Sequence, residues 1–323
     1  QGFRQRFQRE GMLSLMVLLL LFAGYEALRY TSTRREVTKA QVHQALNQAE
    51  RTFDVFTKQF ITVPLEHIKD WGEQTQISVT DLKSLNAQLM PLLGRIPSQV
   101  SLYLANSDGD EYFLMKERLF WQTRVIMPDT DAEWTQWDNP TTIRKTWQKS
   151  VSYDPRQQIW YQKTVESADE ITWILPDALN VLADMHNFVG AIRWTDDERT
   201  WVASVRIHFS DLLRLLAILS VPEQGFLAVM TDGNLSSIFF GSTLEDASLN
   251  SRQDETYQQA QTALEALADV WPSKDSDPPN MQSFTTQDTV WWAGARAIPL
   301  QQQSAWLVMA MPEVESLHEI RQR

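Results

Sequence analysis

Residues 152–162 read SYDPRQQIWYQ and bring two tyrosines, a tryptophan, an Asp-Pro pair and an arginine into one short segment. This composition is typical of neither a regular strand nor a regular helix. Asp154-Pro155 favours a turn, because proline fixes φ and an aspartate side chain can bond to nearby backbone. Trp160 and Tyr161 can wall a small apolar cavity, with the Tyr161 hydroxyl left to orient a bound molecule, or both rings can lie in the core.

The composition around this segment is that of a globular protein. The 323 residues suit about two domains, and a hydrophobic fraction of 43% with 13 tryptophans excludes general disorder. The net charge of −12 argues against nucleic-acid binding, which requires clustered Lys and Arg. The absence of cysteine excludes disulfides, cysteine-based metal sites and thiol chemistry, but it does not fix the cellular compartment.

An apolar run lies near the N-terminus. Residues 11–25, GMLSLMVLLLLFAGY, carry no charge and would span about 22 Å as a helix, which is shorter than a hydrocarbon core of ~30 Å. Extension to residue 30 completes a span, so we expect a transmembrane helix at 11–30 behind a cytoplasmic tail at 1–10. A cleaved signal peptide and a buried core helix are the alternatives.

A long helix is predicted after this run, because residues 33–62 contain neither Gly nor Pro. Its apolar residues are spaced alternately by four and three, as in a heptad seam, which we call the seam: Val42, Leu46, Ala49, Phe53, Phe56, Phe60 and Val63. The seam can pack on its own domain or form a dimer stalk. Pro64 permits a break or kink. A second helix is expected at 80–93, capped by Thr80 or Asp81.

The chain becomes rich in strand patterns from Val100 onward. Residues 100–115 and 225–240 both read as strand, turn and strand, with Asp108-Gly109 and Asp232-Gly233 at the turns. This repetition predicts an α+β protein in which two related modules with antiparallel sheets follow one another.

A second pair of segments supports the same division. Residues 201–216 (WVASVRIHFSDLLRLL) resemble 306–321 (WLVMAMPEVESLHEIR), and each reads as a Trp-started strand followed by a short helix. We therefore expect flanking helices at 31–99, one module at 100–221 and a second module at 222–323.

Three motifs resemble the double Cache sensors of bacterial receptors, and the resemblance covers roughly residues 11–323. DPRQQIWYQ is similar to the family's Asp-Pro-Arg-x-Arg-Pro-Trp-Tyr segment beside the ligand pocket. ASVRIHFSDLLRLL and WLVMAMPEVESL are similar to the endings of its two modules. The resemblance implies tandem PAS-like folds on a long N-terminal helix, with 100–221 as the membrane-distal module. Residues 222–323 would be the membrane-proximal module, leading toward a second transmembrane helix.

The resemblance also implies a set of ligand-binding residues: Tyr153, Gln158, Trp160, Tyr161 and Arg206. Gln158 stands where the members that bind amino acids carry an Arg for the ligand carboxylate. Arg206 stands where they carry an Asp for its ammonium, although a register slip of one residue would turn it to the other face. We therefore expect an anion such as a carboxylate rather than an amino acid. A solvent-facing Arg206, or one paired with a neighbouring carboxylate, is the alternative, and Arg156 is expected to be structural.

Other chemistry is not indicated by the sequence. The five histidines lack metal-ligand spacing, residues 106–112 lack the later ligands of a calcium loop, and no catalytic motif is present. Trp134 and Trp137 could stack on a carbohydrate, but an ordinary loop packed by tryptophan is the simpler interpretation. We expect no enzyme activity, no metal and no cofactor in this region.

The expected function is that of a ligand-sensing periplasmic or extracellular domain of a receptor in the bacterial inner membrane. It would act as a homodimer through the helix at 33–62 and relay small-molecule binding to a cytoplasmic output domain beyond residue 323. A diguanylate cyclase or a histidine kinase is favoured over a chemoreceptor signalling domain. The alternative is a membrane-anchored module that binds a partner protein and has no small ligand of its own.

Overall fold

The structure is a computed structural model of the chain. It describes residues 2–96, 99–168, 170–174, 187–196, 199–208, 225–231, 234–240, 281–298 and 305–313, together with 259, 262–263 and 265–267.

Four α-helices are described, and the first is by far the longest. They are α1 (Gly2–Thr57), α2 (Val63–Gln74), α3 (Leu82–Gly94) and α4 (Ile159–Glu166). Within the described residues, no helix combines the length and the apolar character that a membrane crossing requires. The expected transmembrane segment at 11–30 lies within α1 and is not confirmed.

A π-helical turn, Lys58–Thr62, joins α1 to α2 without breaking the helical path. Pro64, at the start of α2, has no N–H to donate, and its ring would crowd a carbonyl of a regular α-helix. The break or kink predicted at Pro64 is therefore a π turn. The extra residue of the π turn shifts the helix phase. Val63 is therefore 48% exposed, and its predicted place in the seam is wrong; Ile61, Leu65 and Ile68 are buried instead.

The rest of the seam packs within its own chain. Its first five residues, Val42 to Phe56, are buried in one apolar core together with residues of both sheets. The prediction of α3 is confirmed, with Asp81 as the cap whose carboxylate accepts from the Ser84 N–H at 3.3 Å.

The first sheet has eight antiparallel strands in the order β5-β4-β3-β2-β1-β8-β7-β6. Its strands are β1 (Val100–Asn106), β2 (Glu111–Lys116), β3 (Trp121–Ile126), β4 (Ala132–Asn139), β5 (Thr142–Lys149), β6 (Thr172–Ile174), β7 (Asn187–Thr195) and β8 (Thr200–His208). The hairpin predicted at Asp108-Gly109 is present: Gly109 has φ of 98°, and the Asn106 side-chain oxygen accepts two backbone N–H groups of the turn at 3.0 Å.

The second sheet has five antiparallel strands in the order β10-β9-β13-β12-β11. They are β9 (Phe226–Thr231), β10 (Asn234–Phe240), β11 (Gln282–Thr286), β12 (Thr289–Ile298) and β13 (Ala305–Pro312). The predicted turn at Asp232-Gly233, the helices expected after β8 and β13 and the module boundary near residue 221 lie outside the described residues.

One helical path supports both sheets. Helix α1 packs against β12 and β13 of the second sheet, and α2 packs against β7 and β8 of the first. Two glycines allow close approach at the first sheet. A Cβ on Gly72 of α2 would lie 2.6 Å from the Trp194 ring, and one on Gly190 of β7 would lie 2.4 Å from Ile61. The helix and the first sheet are therefore in tight contact.

Candidate functional site

The two faces of the eight-stranded sheet differ in chemistry. The core face, which includes Leu104, Val205 and Ile207, packs against α2 and α3 in the main apolar core. The opposite face is covered by α4, and we call it the α4 face. Because side chains alternate along a strand, the register of β1 against β8 places Tyr103 and Ser204 together on the α4 face.

The opening segment of the sequence forms the approach to α4. The Asp154 carboxylate accepts from the Arg156 N–H at 2.9 Å, which fixes a single 3-10 turn, Pro155–Gln157. Arg156 also pairs with Asp154 and lies over the turn at Gly109, in agreement with the structural role expected for it. The Gln158 amide donates to the Asp154 carbonyl at 3.3 Å, so this side chain helps to hold the turn.

The segment is more regular than its composition indicates, because Ile159–Glu166 is a helix of two turns. Trp160, Tyr161 and Thr164 are buried on the sheet side of this helix. Burial of two aromatic rings against the strands outweighs their modest helix propensity, which is why composition alone did not predict α4. Both rings belong to a small apolar cluster with Ala105 and Val202.

Arg206 lies on the α4 face, two residues along β8 from Ser204. Its guanidinium carbon lies 4.1 Å from the centre of the Tyr103 ring, a cation–π contact, and its contact with the Tyr103 hydroxyl is long at 3.4 Å. No carboxylate within salt-bridge distance is present among the described residues. Arg206 therefore faces neither bulk solvent nor a bonded acidic partner.

Several buried polar atoms on this face have no hydrogen-bond partner among the described residues. They are Arg206 Nε, Ser204 Oγ, Thr172 Oγ1, Trp160 Nε1 and Trp134 Nε1. Leaving one such group unpaired costs about 1–3 kcal/mol, so native proteins contain few of them. They are spread across the face from Thr172 on β6 to Trp134 on β4, and only Arg206 and Ser204 share a strand; five further atoms of this kind lie elsewhere in the described chain.

A buried ionic cluster that sequence analysis did not identify lies beside them, and we call it the triad: Glu111, Arg124 and Tyr153. The Glu111 carboxylate has no exposed surface and accepts from Arg124 Nε at 3.1 Å and from the Tyr153 hydroxyl at 2.7 Å. Arg124 also lies 4.6 to 5.3 Å from the ring centres of Tyr153, Phe113 and Trp134.

Burial and the contacts within the triad change the pKa values of its members. Burial raises the pKa of Glu111, and attraction to Arg124 offsets this only in part. Burial and the neighbouring Glu111 carboxylate also raise the pKa of Tyr153 well above its usual range. The Tyr153 hydroxyl therefore stays protonated as a donor at every ordinary pH.

The two tryptophans considered as a carbohydrate platform lie on opposite faces. Trp134 stacks on Trp147 with ring centres 6.1 Å apart on the α4 face. Trp137 is buried on the core face and donates to the Thr123 hydroxyl at 2.9 Å. They do not form one surface.

The second sheet has one buried polar atom without a partner among its described residues, Trp292 Nε1 on the side of α1. The face turned away from α1 is filled by four alanines of the strands together with aromatic rings: Ala228, Ala293, Ala295, Ala310, Phe226, Phe284 and Trp291. A helical segment contributes Ala263 and Leu267. Polar groups suited to a ligand are thus concentrated on the first sheet.

A separate cleft of about 430 Å³ lies on the core side of the first sheet. The loop from Gln76 to Thr80, with Asp110, Arg199 and Trp201, lines it. Arg199 is already paired with Asp108 at 3.1 Å. No group of three or more potential metal ligands occurs within the described part of the chain.

Comparisons with known proteins bear on the fold of the chain. No protein-family model and no curated protein matches the sequence. The extracellular domain of vpHK1S-Z8, a protein assigned as a histidine kinase, is 10% identical with a TM-score of 0.52, covering 90% of this chain and 97% of that one.

Two chemoreceptor domains match with lower scores. The ligand-binding domain of the Pseudomonas aeruginosa amino acid chemoreceptor PctB, solved with L-Arg, is 13% identical with a TM-score of 0.44, covering 91% and 92% of the two chains. The periplasmic sensory domain of the Campylobacter jejuni chemoreceptor Tlp1 is 12% identical with a TM-score of 0.45, covering 87% and 95%. The fold predicted from the double Cache resemblance is confirmed: this chain shares it with the extracellular domain of vpHK1S-Z8 over nearly the whole of both chains.

Proposed function

We propose that the chain is the extracytoplasmic sensor region of a bacterial transmembrane signalling receptor, with a small molecule bound on the α4 face of the eight-stranded sheet. The observation that carries the proposal is Arg206 on the α4 face, whose buried Nε–H has no partner among the described residues, together with the Ser204 hydroxyl two residues along the same strand, which also has none. A ligand that supplies their missing acceptors would offset the cost of burying them. The shared fold with an extracellular sensor-type domain supports the same conclusion.

The site residues have distinct proposed roles. Arg206 binds an anionic group of the ligand, since its guanidinium is held by stacking on Tyr103 and has an unused Nε–H. Trp160 donates its indole N–H, and Tyr161 closes the cluster behind it. Tyr153 and Gln158 act indirectly: Tyr153 holds Glu111, and Gln158 holds the turn before α4.

The helical path provides a route for the signal. Strands β7 and β8, which form part of the proposed site, pack on α2, and α1 packs on the second sheet. A ligand that favours one position of α2 would therefore bias the position of the second sheet. Anchoring at residues 11–30, periplasmic placement and a cytoplasmic histidine kinase or diguanylate cyclase belong to this proposal. The fold shared with a domain of an assigned histidine kinase supports the former output.

The proposal is tested by thermal unfolding of the purified 323-residue chain against a library of carboxylates, amino acids, amines and purines. A binder should raise the midpoint in a concentration-dependent way, and Arg206→Ala should abolish the shift. Arg118→Ala, which removes an equal charge from an exposed loop, is the matched control.

Two outcomes would contradict the assignment. A shift that survives Arg206→Ala but is lost in Gln76→Ala would move the site to the core-side cleft. No shift across the whole library would favour a module that binds a partner protein.

A further inference from the structure

We propose that the ligand is a small monocarboxylate with a flat apolar body and no ammonium group. This inference rests on the proposed function and specifies the class of molecule that the α4 face selects. Three independent properties of the site carry it: its charge count, its acceptors and its walls.

The charge count leaves one positive charge uncompensated. Glu111 and Arg124 neutralise each other within the triad. At the rim, Asp154 and Arg156 do the same. Among the lysines and arginines of this face that are not exposed, Arg206 alone lacks an opposite charge at bonding distance in the described part of the chain. Arg193 of β7 shares the face, but it is exposed and donates to the Val165 carbonyl. A ligand with one negative charge completes the pairing, whereas a second carboxylate would be buried without a cation.

The acceptors leave no place for an ammonium group. Glu111 is the only described carboxylate in the interior of the face, and it is completely buried. Its oxygens already accept from Arg124 and Tyr153. The polar atoms without partners nearby are donors or hydroxyls, so they call for acceptors on the ligand. An ammonium group here would be desolvated beside Arg206 and Arg124 and would be repelled by both.

The walls select a flat apolar body. The Tyr103 ring lies 4.7 Å from the Phe113 ring and 5.6 Å from the Trp160 ring, measured between centres. The planes are tilted at 53° and 44°, so the aromatic side chains beside Arg206 present both faces and edges. Planar rings pack well in such surroundings.

The test uses four molecules that share a phenyl ring on a short carbon chain. Hydrocinnamate is phenylalanine without its amino group; phenylsuccinate adds a second carboxylate to it, and phenylpropylamine carries an aminomethyl group in place of the carboxylate. Calorimetric titration of the 323-residue chain should give binding to hydrocinnamate. We expect binding weaker by roughly tenfold or more for phenylalanine and phenylsuccinate, and none for the amine.

Variants separate the contributions. Arg206→Ala should weaken hydrocinnamate binding by roughly 100-fold, and Ser204→Ala by roughly fivefold, while Arg118→Ala leaves it unchanged. Removal of the charge should also reduce the preference for hydrocinnamate over phenylpropylamine, which a merely structural role of Arg206 would not do.

The outcomes distinguish this inference from the proposed function. Equal or tighter binding of phenylalanine or phenylsuccinate that depends on Arg206 would overturn the monocarboxylate inference and leave the sensing function standing. The same holds if the only Arg206-dependent binder in the wider library carries an ammonium group, two carboxylates or no apolar body. Failure of every compound in that library would overturn both.

Discussion

The π turn between α1 and α2 makes a sharp prediction about deletions. Ahead of the turn, the last buried apolar position is Phe56; the next is Ile61, five residues later, with the buried Thr57 between them, and Leu65 and Ile68 follow at spacings of four and three. As a π turn, Lys58–Thr62 contains one residue more than an α-helix needs. Removing exposed Gln59, together with Pro64→Ala to restore the missing N–H, should leave the buried positions on the core side.

The control removes exposed Arg51 from regular α1 and keeps Pro64, so that the π turn stays. This deletion rotates everything after it by about 100° relative to the preceding helix. Ile61, Leu65 and Ile68, all with no exposed surface, would leave the core. At about 1.5–3 kcal/mol for each side chain, the loss is roughly 5–9 kcal/mol, comparable to the whole stability of a typical domain.

Urea unfolding followed by circular dichroism measures the difference. The Gln59 deletion should remain folded, with a loss below about 2 kcal/mol, and the Arg51 deletion should not fold cooperatively. Equal losses for the two deletions would refute the idea that the π turn sets the phase of the helix.

Further predictions concern the triad, the helix–sheet contact and a cap. Glu111→Leu leaves Arg124 buried without an acceptor and should cost about 3–5 kcal/mol in unfolding free energy by urea titration, whereas Glu111→Gln keeps one acceptor oxygen and should cost much less. Because burial raises the pKa of Glu111, the folded state holds its proton more tightly than the unfolded state. The stability of the wild type relative to Glu111→Gln should therefore fall as pH rises from 4.5 through the raised pKa, and a difference that grows over this range would contradict the assignment. Gly72→Ala should lower the free energy of unfolding by about 1–3 kcal/mol, because its Cβ meets a tryptophan ring at 2.6 Å. Gly24→Ala, with nothing within 4 Å, should leave it unchanged in the same urea titration. Asp81→Ala should cost about 1 kcal/mol, and Asp81→Asn should restore most of it; equal losses would argue against capping.

Local signals in the sequence predicted those features that depend on neighbouring residues. The Asp108-Gly109 hairpin is one example, since only glycine adopts its positive φ without strain. The α3 helix, with its Asp81 cap, is another. The burial of the first five seam positions could be predicted from periodicity. The surface they pack against could not, because the same apolar stripe suits a second helix in a dimer as well as the chain's own sheets.

Features that depend on strand register could not be predicted. Glu111 and Arg124 meet only because β2 pairs with β3 in one register, and a shift of one residue would place them on opposite faces. The best available signal was Arg124 as the single charged residue of β3, and Glu111 as one of the two charged residues of β2. The helical form of residues 159–166 and the phase shift after Phe56 are likewise decided by packing and by Pro64, not by local preference.

The shared helix has a consequence for the design of chimeras. Because α1 and α2 pack with both sheets in one core, one sheet cannot be transplanted by cutting between the sheets alone; each piece would expose part of that core. A chimera that joins the eight-stranded sheet to a foreign second sheet must also splice the helix. The Lys58–Thr62 turn is the natural junction, since it lies between the stretch that packs on β12 and β13 and the stretch that packs on β7 and β8. The number of residues kept there would set how the two halves of the hybrid are rotated against each other.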